Sequence, residues 1–247
     1  MSALTFLLLI VAGVGAGLVG YLAGLASLVS YPVLLAVGLP PIAANVTNTV
    51  ALVGASAGST IRGARFYLKT ERRQTLRECG IAAVGGLAGG GLLLAGGEAS
   101  FQSIVPWLVL LASGLLVFSP AILTLHGERP LPAWIYPALL LMTCIYGGYF
   151  GAGAGVIYLA VTALASQMSF DKSVFVKSLL LGISNFTAML LFVFSGSINW
   201  WAALALGIGC TAGGYLGPMV QRLIPEPALR WSIGVAGLGL AVWLWVR

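Results

Sequence analysis

The segment NVTNTVALVGASAGST, residues 45–60, places Asn45, Thr47, Asn48, Thr49, Ser56, Ser59 and Thr60 inside a run that has no charged side chain. Serine and threonine can bond the carbonyl one turn back, so isolated ones carry little information. Asparagine has two donors and an acceptor to place, and burying them unpaired is costly. Asn45 and Asn48 are three residues apart and can share a broad helix face with Ser56 and Ser59. Two readings follow. One is glue between helices, at about 0.6 kcal/mol per bond. The other is a solvated path. The asparagines directly follow GLPP (38–41), and a helix that starts after two prolines turns free N–H groups toward whatever lies there. That end is partially positive and favours an anion. The chemistry on offer is therefore recognition of a small anion rather than bond cleavage.

The matching place later in the chain is SFDKSVFVKSLLLGISNFT, residues 169–187. Lys177 is the notable residue. It either snorkels to the surface beside Lys172 or aims an ammonium at a bound anion. Ser184 and Asn185 lie two turns deeper. Asn45, Thr47, Asn48 and Lys177 are the leading candidates for substrate binding, with Ser27, Tyr158 and Asn185 behind them. The deepest acid is Asp171, at an interface, which gives no support to proton coupling through an intramembrane carboxylate.

Enzymatic chemistry finds no support. GAGLVG (15–20) has the spacing of a dinucleotide fingerprint but lies in an apolar helix with no preceding strand. GASAG (54–58) has the spacing of a nucleophile elbow but no histidine partner, since His126 is the only histidine and lies in a loop. Cys79, Cys144 and Cys210 are widely spaced, and no metal cluster or cofactor motif is present.

The elements that must carry these residues follow from composition. Of the 247 residues, 60% are hydrophobic and 7% charged, against about a quarter charged in soluble domains. Charge-free runs extend over 1–61, 79–97, 99–127, 130–170, 178–221 and 231–246. At about 20 residues per membrane helix, they hold up to ten crossings: 4–22, 24–38, 42–61, 78–97, 103–124, 132–149, 152–168, 173–195, 198–221 and 229–246. The fold expected is an all-α polytopic membrane protein. The basic segment 62–78 is cytoplasmic by the positive-inside rule, and 96–102 and 195–201 face outside. The short stretches 24–38 and 152–168 either cross or re-enter. Eight full spans with two re-entrant pieces is the alternative to ten.

GLASLVSY (24–31) is similar to GAGAGVIY (151–158), and NVTN (45–48) to FVKS (175–178). Tyr31 then matches Tyr158, and Thr47 matches Lys177. These offsets divide the chain into repeats at 1–125 and 126–247, each of about five helices, the second inverted. Short Gly/Pro-broken helices at matching places point to a transporter site near the midplane.

Residues 15–52, GAGLVGYLAGLASLVSYPVLLAVGLPPIAANVTNTVAL, closely resemble the first signature of the sulfite exporter TauE/SafE family, also called the 4-toluene sulfonate uptake permease family. GGYFGAGAGVIYLAV and VFVKSLLLGISN resemble its second copy, with MSFDKS where a G-x-P-P turn would stand and Lys177 where threonine is usual. The resemblance implies secondary transport of sulfite, sulfoacetate or a related organosulfonate, usually outward, across the bacterial inner membrane. A channel, or a non-transporting scaffold subunit, is the alternative. The expected partners are a small anionic substrate and the lipid bilayer, with a homodimer left open and no nucleic acid.

Overall fold

A computed structural model of the chain describes residues 1–70, 72–124, 132, 134–165 and 168–220, together with 235, 238, 239, 242 and 245. Residues 125–131 and 221–234, and with them most of the expected crossing at 229–246, lie outside the described residues. Eight α-helices are described: α1 (Ala3–Ala23), α2 (Ala26–Ala36), α3 (Pro41–Thr70), α4 (Arg72–Thr124), α5 (Ile135–Tyr149), α6 (Ala154–Ala165), α7 (Phe170–Phe192) and α8 (Trp200–Val220). Among the described residues there is no strand, and the chain is an all-α polytopic membrane protein, as its charge-free runs require.

Glycines decide where the helices stop. α1 begins at Ser2, whose hydroxyl accepts the Thr5 N–H at 3.1 Å. It ends at Gly24, which is left-handed (φ 72°) and returns its N–H to the Gly20 carbonyl at 2.9 Å. α4 breaks at Gly97 (φ 69°, ψ 177°), between the expected crossings 78–97 and 103–124. Past the break, Phe101 packs on Tyr149 and Phe150, and Ala112 stands where a Cβ on Gly153 would have to be. Before it, Gly89 lies against Gly148 and Tyr149. The two arms of α4 therefore meet the same end of α5, and the second arm folds back beside the first.

The short elements sit where the sequence placed them. At about 1.5 Å per residue, α2 and α6 are about 17 Å and about 18 Å long, against about 30 Å of hydrocarbon. α2 runs back along α1, since Gly20 meets Ala26 and Gly15 meets Val29. α6 runs back along α5: Ala154 lies by Gly147, and Tyr158 reaches Tyr136. α2 and α6 are thus each an incomplete helix preceded by a non-helical turn, and each reverses the chain direction.

Helices from the two sequence halves exchange partners. α1 and α3 both pack on α8: Cβ atoms at Gly13 and Gly17 would strike the backbone at 206–214, and one at Gly58 the backbone at 211–215. α5 and α7 both pack on the first arm of α4, through Gly85 and Gly89 for α5 and through Gly86 and Gly90 for α7. Small residues let these backbones touch, which is how helices gain packing energy where lipid is as apolar as leucine. The packing therefore crosses the boundary at 125/126, and each cluster of long helices draws on both halves.

Candidate functional site

The two helix breaks meet. A Cβ on Gly24 would collide with the Cα of Gly155, and one on Gly155 with the Cα of Gly24. Beside this contact lies a cavity of about 60 Å³, several times the roughly 10–15 Å³ that admits one water. Its polar wall is Ser27, Ser56, Ser59, Lys177, Ser178 and Asn185. Ala26 and Ser27 open α2, and Gly151 and Ala154 open α6, so both short helices present their N-terminal ends here. At α6 the N–H groups of Ala154, Val156 and Ile157 bond the carbonyls of Gly151 and Gly153, so what these ends bring to the cavity is chiefly the partial positive charge of the helix dipole. Among the described residues lining the cavity there is no carboxylate.

Lys177 does not snorkel. It is 1% exposed, and its Nζ donates to the Tyr21 carbonyl at 2.6 Å and the Gly20 carbonyl at 3.3 Å. Nζ also lies 5.9 Å from the centroid of the Tyr21 ring, within cation–π range. These carbonyls are in the last turn of α1, where the dipole end is negative and carbonyls run out of helical donors, although Gly20 also accepts the Gly24 N–H. The ammonium thus caps the broken end of α1 while bordering the cavity. An ammonium has three donors, and the two carbonyls occupy two of them.

Asn45 does the corresponding work on the other break. Its Nδ2 donates at 2.9 Å to the carbonyl of Tyr149, the last residue of α5. Each broken helix end is thus closed by a side chain from a long helix of the other sequence half. Asn48 accepts from the Ser30 hydroxyl at 2.5 Å and donates to the Ser27 hydroxyl at 3.1 Å, tying α3 to α2. Thr47 accepts the backbone N–H of Asn199 at 3.0 Å, at the entrance to α8. Asn45, Thr47 and Asn48 are buried and lie outside the cavity wall.

Of the seven residues expected at the site, Ser27, Lys177 and Asn185 come together. Tyr158 is fully buried with its hydroxyl 3.4 Å from that of Tyr136, and it does not line the cavity. Ser184 bonds the Cys144 carbonyl at 2.9 Å. Ser178 and Tyr21 line the cavity without having been anticipated. Ser178 was findable as the neighbour of Lys177, whereas Tyr21 contributes a carbonyl, which side-chain chemistry cannot reveal. Glu78 is 4% exposed, takes a hydrogen bond from Gln74 at 2.9 Å, and stands apart from the cavity.

A prediction separates the two groups. Asn48→Ala should lower thermal stability by about 1 kcal/mol, the scale of one or two interhelical bonds, and leave transport per folded molecule close to wild type. Thermal unfolding and flux normalised to folded protein check both parts.

The sequence profile of the family described as Sulfite exporter TauE/SafE matches residues 9–244. The chain is similar to the probable membrane transporter protein YfcA of Escherichia coli K12, 27% identical over 207 residues, covering 82% of this chain and 75% of that one. It is also similar to a probable membrane transporter protein of Haemophilus influenzae, 25% identical over 210 residues, covering 83% and 80% of the two chains. The probable membrane transporter protein ORF9 of a Sinorhizobium species is 26% identical over 239 residues, covering 95% and 90%. No solved structure matches. With a match reaching from the middle of α1 almost to the last residue, this multi-pass membrane protein belongs to the sulfite exporter TauE/SafE family.

Proposed function

We propose that the chain is a secondary transporter that carries a small sulfur-containing anion, sulfite or a compact organosulfonate, across the bacterial inner membrane, usually outward. The cavity at the meeting of the two breaks is its binding site. One observation carries this reading: two helix N-termini and a buried ammonium converge on a cavity of about 60 Å³ whose described wall holds no acid. Lys177 supplies charge, and Ser178 and Asn185 supply hydrogen bonds. Ser27, an acceptor toward Asn48, keeps its own proton for the anion. A cavity of about 60 Å³ suits a few heavy atoms and disfavours an aryl sulfonate.

Alternating access follows from the exchange of helices. α1, α3 and α8 form one unit; α4, α5 and α7 form the other. The units meet along α3 and α7, where Gly182 packs on Ser56, and at the cavity, where Gly24 touches Gly155, Lys177 caps α1 and Asn45 bonds the Tyr149 carbonyl. Rocking about that line would open the site to one face and then the other. It also lends support to the inverted-repeat reading, because equivalent helices in the two halves make equivalent exchanges.

Proteoliposomes loaded with unlabelled sulfite should accumulate labelled sulfite transiently by counterflow, with uptake that saturates. Sulfoacetate should compete and toluenesulfonate should compete poorly. Flux that rises linearly with concentration and shows no counterflow would replace the transporter with a pore.

A further inference from the structure

A second cavity, of about 370 Å³, lies between the α2–α3 turn and the second arm of α4, lined by Tyr31, Leu35, Leu39, Pro40, Pro41 and Gln102. It is at the end of the molecule opposite the basic segment 62–78, near the 96–102 turn, which has no basic residue. Ser27 lines the inner cavity and Tyr31 the outer one, and both are on α2. They are one turn apart, a rise of about 6 Å. On the other wall, Gly151 lines the inner cavity and its neighbour Phe150 packs on Tyr31. Only one layer of side chains separates the two spaces.

That layer is aromatic. The Tyr31 and Phe150 rings meet edge to face, centroids 5.4 Å apart at 89°, and Phe101 backs Phe150 at 5.9 Å and 67°. All three are at most 2% exposed. Tyr31 differs from its two partners in one respect: its hydroxyl is buried and has no hydrogen-bond partner. Packing alone would be served by phenylalanine, and a buried unpaired hydroxyl is a standing cost. Phe150 belongs to the α5–α6 break and Tyr31 to α2, so a change at either break moves the stack.

We infer that Tyr31 and Phe150, supported by Phe101, form the outer barrier of the transport path, and that the Tyr31 hydroxyl donates to the anion as it passes between the inner and outer cavities. The second part rests on the inner cavity being the anion site; the first part does not. The layer is apolar on its faces and excludes a hydrated ion while the rings remain in contact. When they part, the hydroxyl gains the partner it lacks.

The barrier is tested without substrate. Ser56→Cys places a thiol on the inner cavity wall, in a background where Cys79, Cys144 and Cys210 are alanine. A membrane-impermeant maleimide is added from the face opposite the basic segment. The thiol should stay unlabelled with Tyr31 or Phe in that position and become labelled at least five-fold faster with Tyr31→Ala. Phe150→Leu serves as the second opening variant should Tyr31→Ala not yield folded protein. Fast labelling with the intact stack, or no gain in either opening variant, overturns the barrier whether or not sulfite is transported. For the hydroxyl, Tyr31→Phe should raise the half-saturating sulfite concentration at least five-fold without admitting the maleimide. Wild-type sulfite kinetics in that variant overturn its role and leave the barrier standing.

Discussion

Lys177→Ala should reduce sulfite transport by about 10- to 100-fold. The figure follows from the roughly 1.5–3 kcal/mol of a hydrogen bond to a charged group, at 1.4 kcal/mol per factor of ten. Folding is affected too, because the variant leaves the Tyr21 carbonyl, accepted at 2.6 Å in the native protein, without its partner. Two roles are thus superposed on one ammonium: it caps α1 and it faces the cavity. They separate by readout. A pure cap would lower the melting temperature and leave the half-saturating sulfite concentration unchanged. A binding role raises that concentration in molecules that remain folded. Lys177→Arg retains the charge and should cap α1, but its larger planar head must fit a cavity of about 60 Å³. It should therefore keep more stability than alanine and recover only part of the flux.

Gly155→Val should abolish accumulation of folded protein or cut its melting temperature sharply. A Cβ there collides with the Cα of Gly24 and comes within 3.1 Å of Lys177 Cδ. Gly24 cannot yield, since its left-handed backbone closes α1 and already touches α6. Overpacking of side chains costs about 1–3 kcal/mol, and here the obstacle is backbone, so the upper part of that range applies. Gly91→Ala is the control. Nothing lies within 4 Å of its added Cβ, and it stands inside α4. Removing a helical glycine should be neutral or stabilise by up to about 1 kcal/mol. If both variants behaved alike, the close approach of the two breaks would have no energetic weight.

Much of this was legible because hydrocarbon imposes strict rules. The charge-free runs dictated helices, and GLAS and GAGAG marked the two breaks that do meet. Lys177 stood out as an ionisable group early in a membrane helix, but its place near the helix end left snorkelling and a cavity-facing role both open, and only its burial decides between them. The division of labour among the polar residues was not legible. Asn45 and Asn48 read as possible lining from their face and from the GLPP break before them, yet they spend their amides on a Tyr149 carbonyl and on Ser27 and Ser30. The acceptors that claim Asn45 and Lys177 are main-chain carbonyls at helix ends, which exist only once the breaks are placed in three dimensions. The N-termini at the cavity are those of α2 and α6; the start of α3 after GLPP borders the outer cavity instead. Sequence spacing shows that a helix starts, whereas which space it faces depends on how the halves exchange partners.

Titration calorimetry of sulfite into purified wild-type protein and into folded Lys177→Met bears most directly on the claim that the joined breaks and their ammonium form an anion site. Wild type should give saturable heat for one anion per chain, and the variant none in the same concentration range. Equal binding by the two proteins would contradict the site, and with it the path built around it.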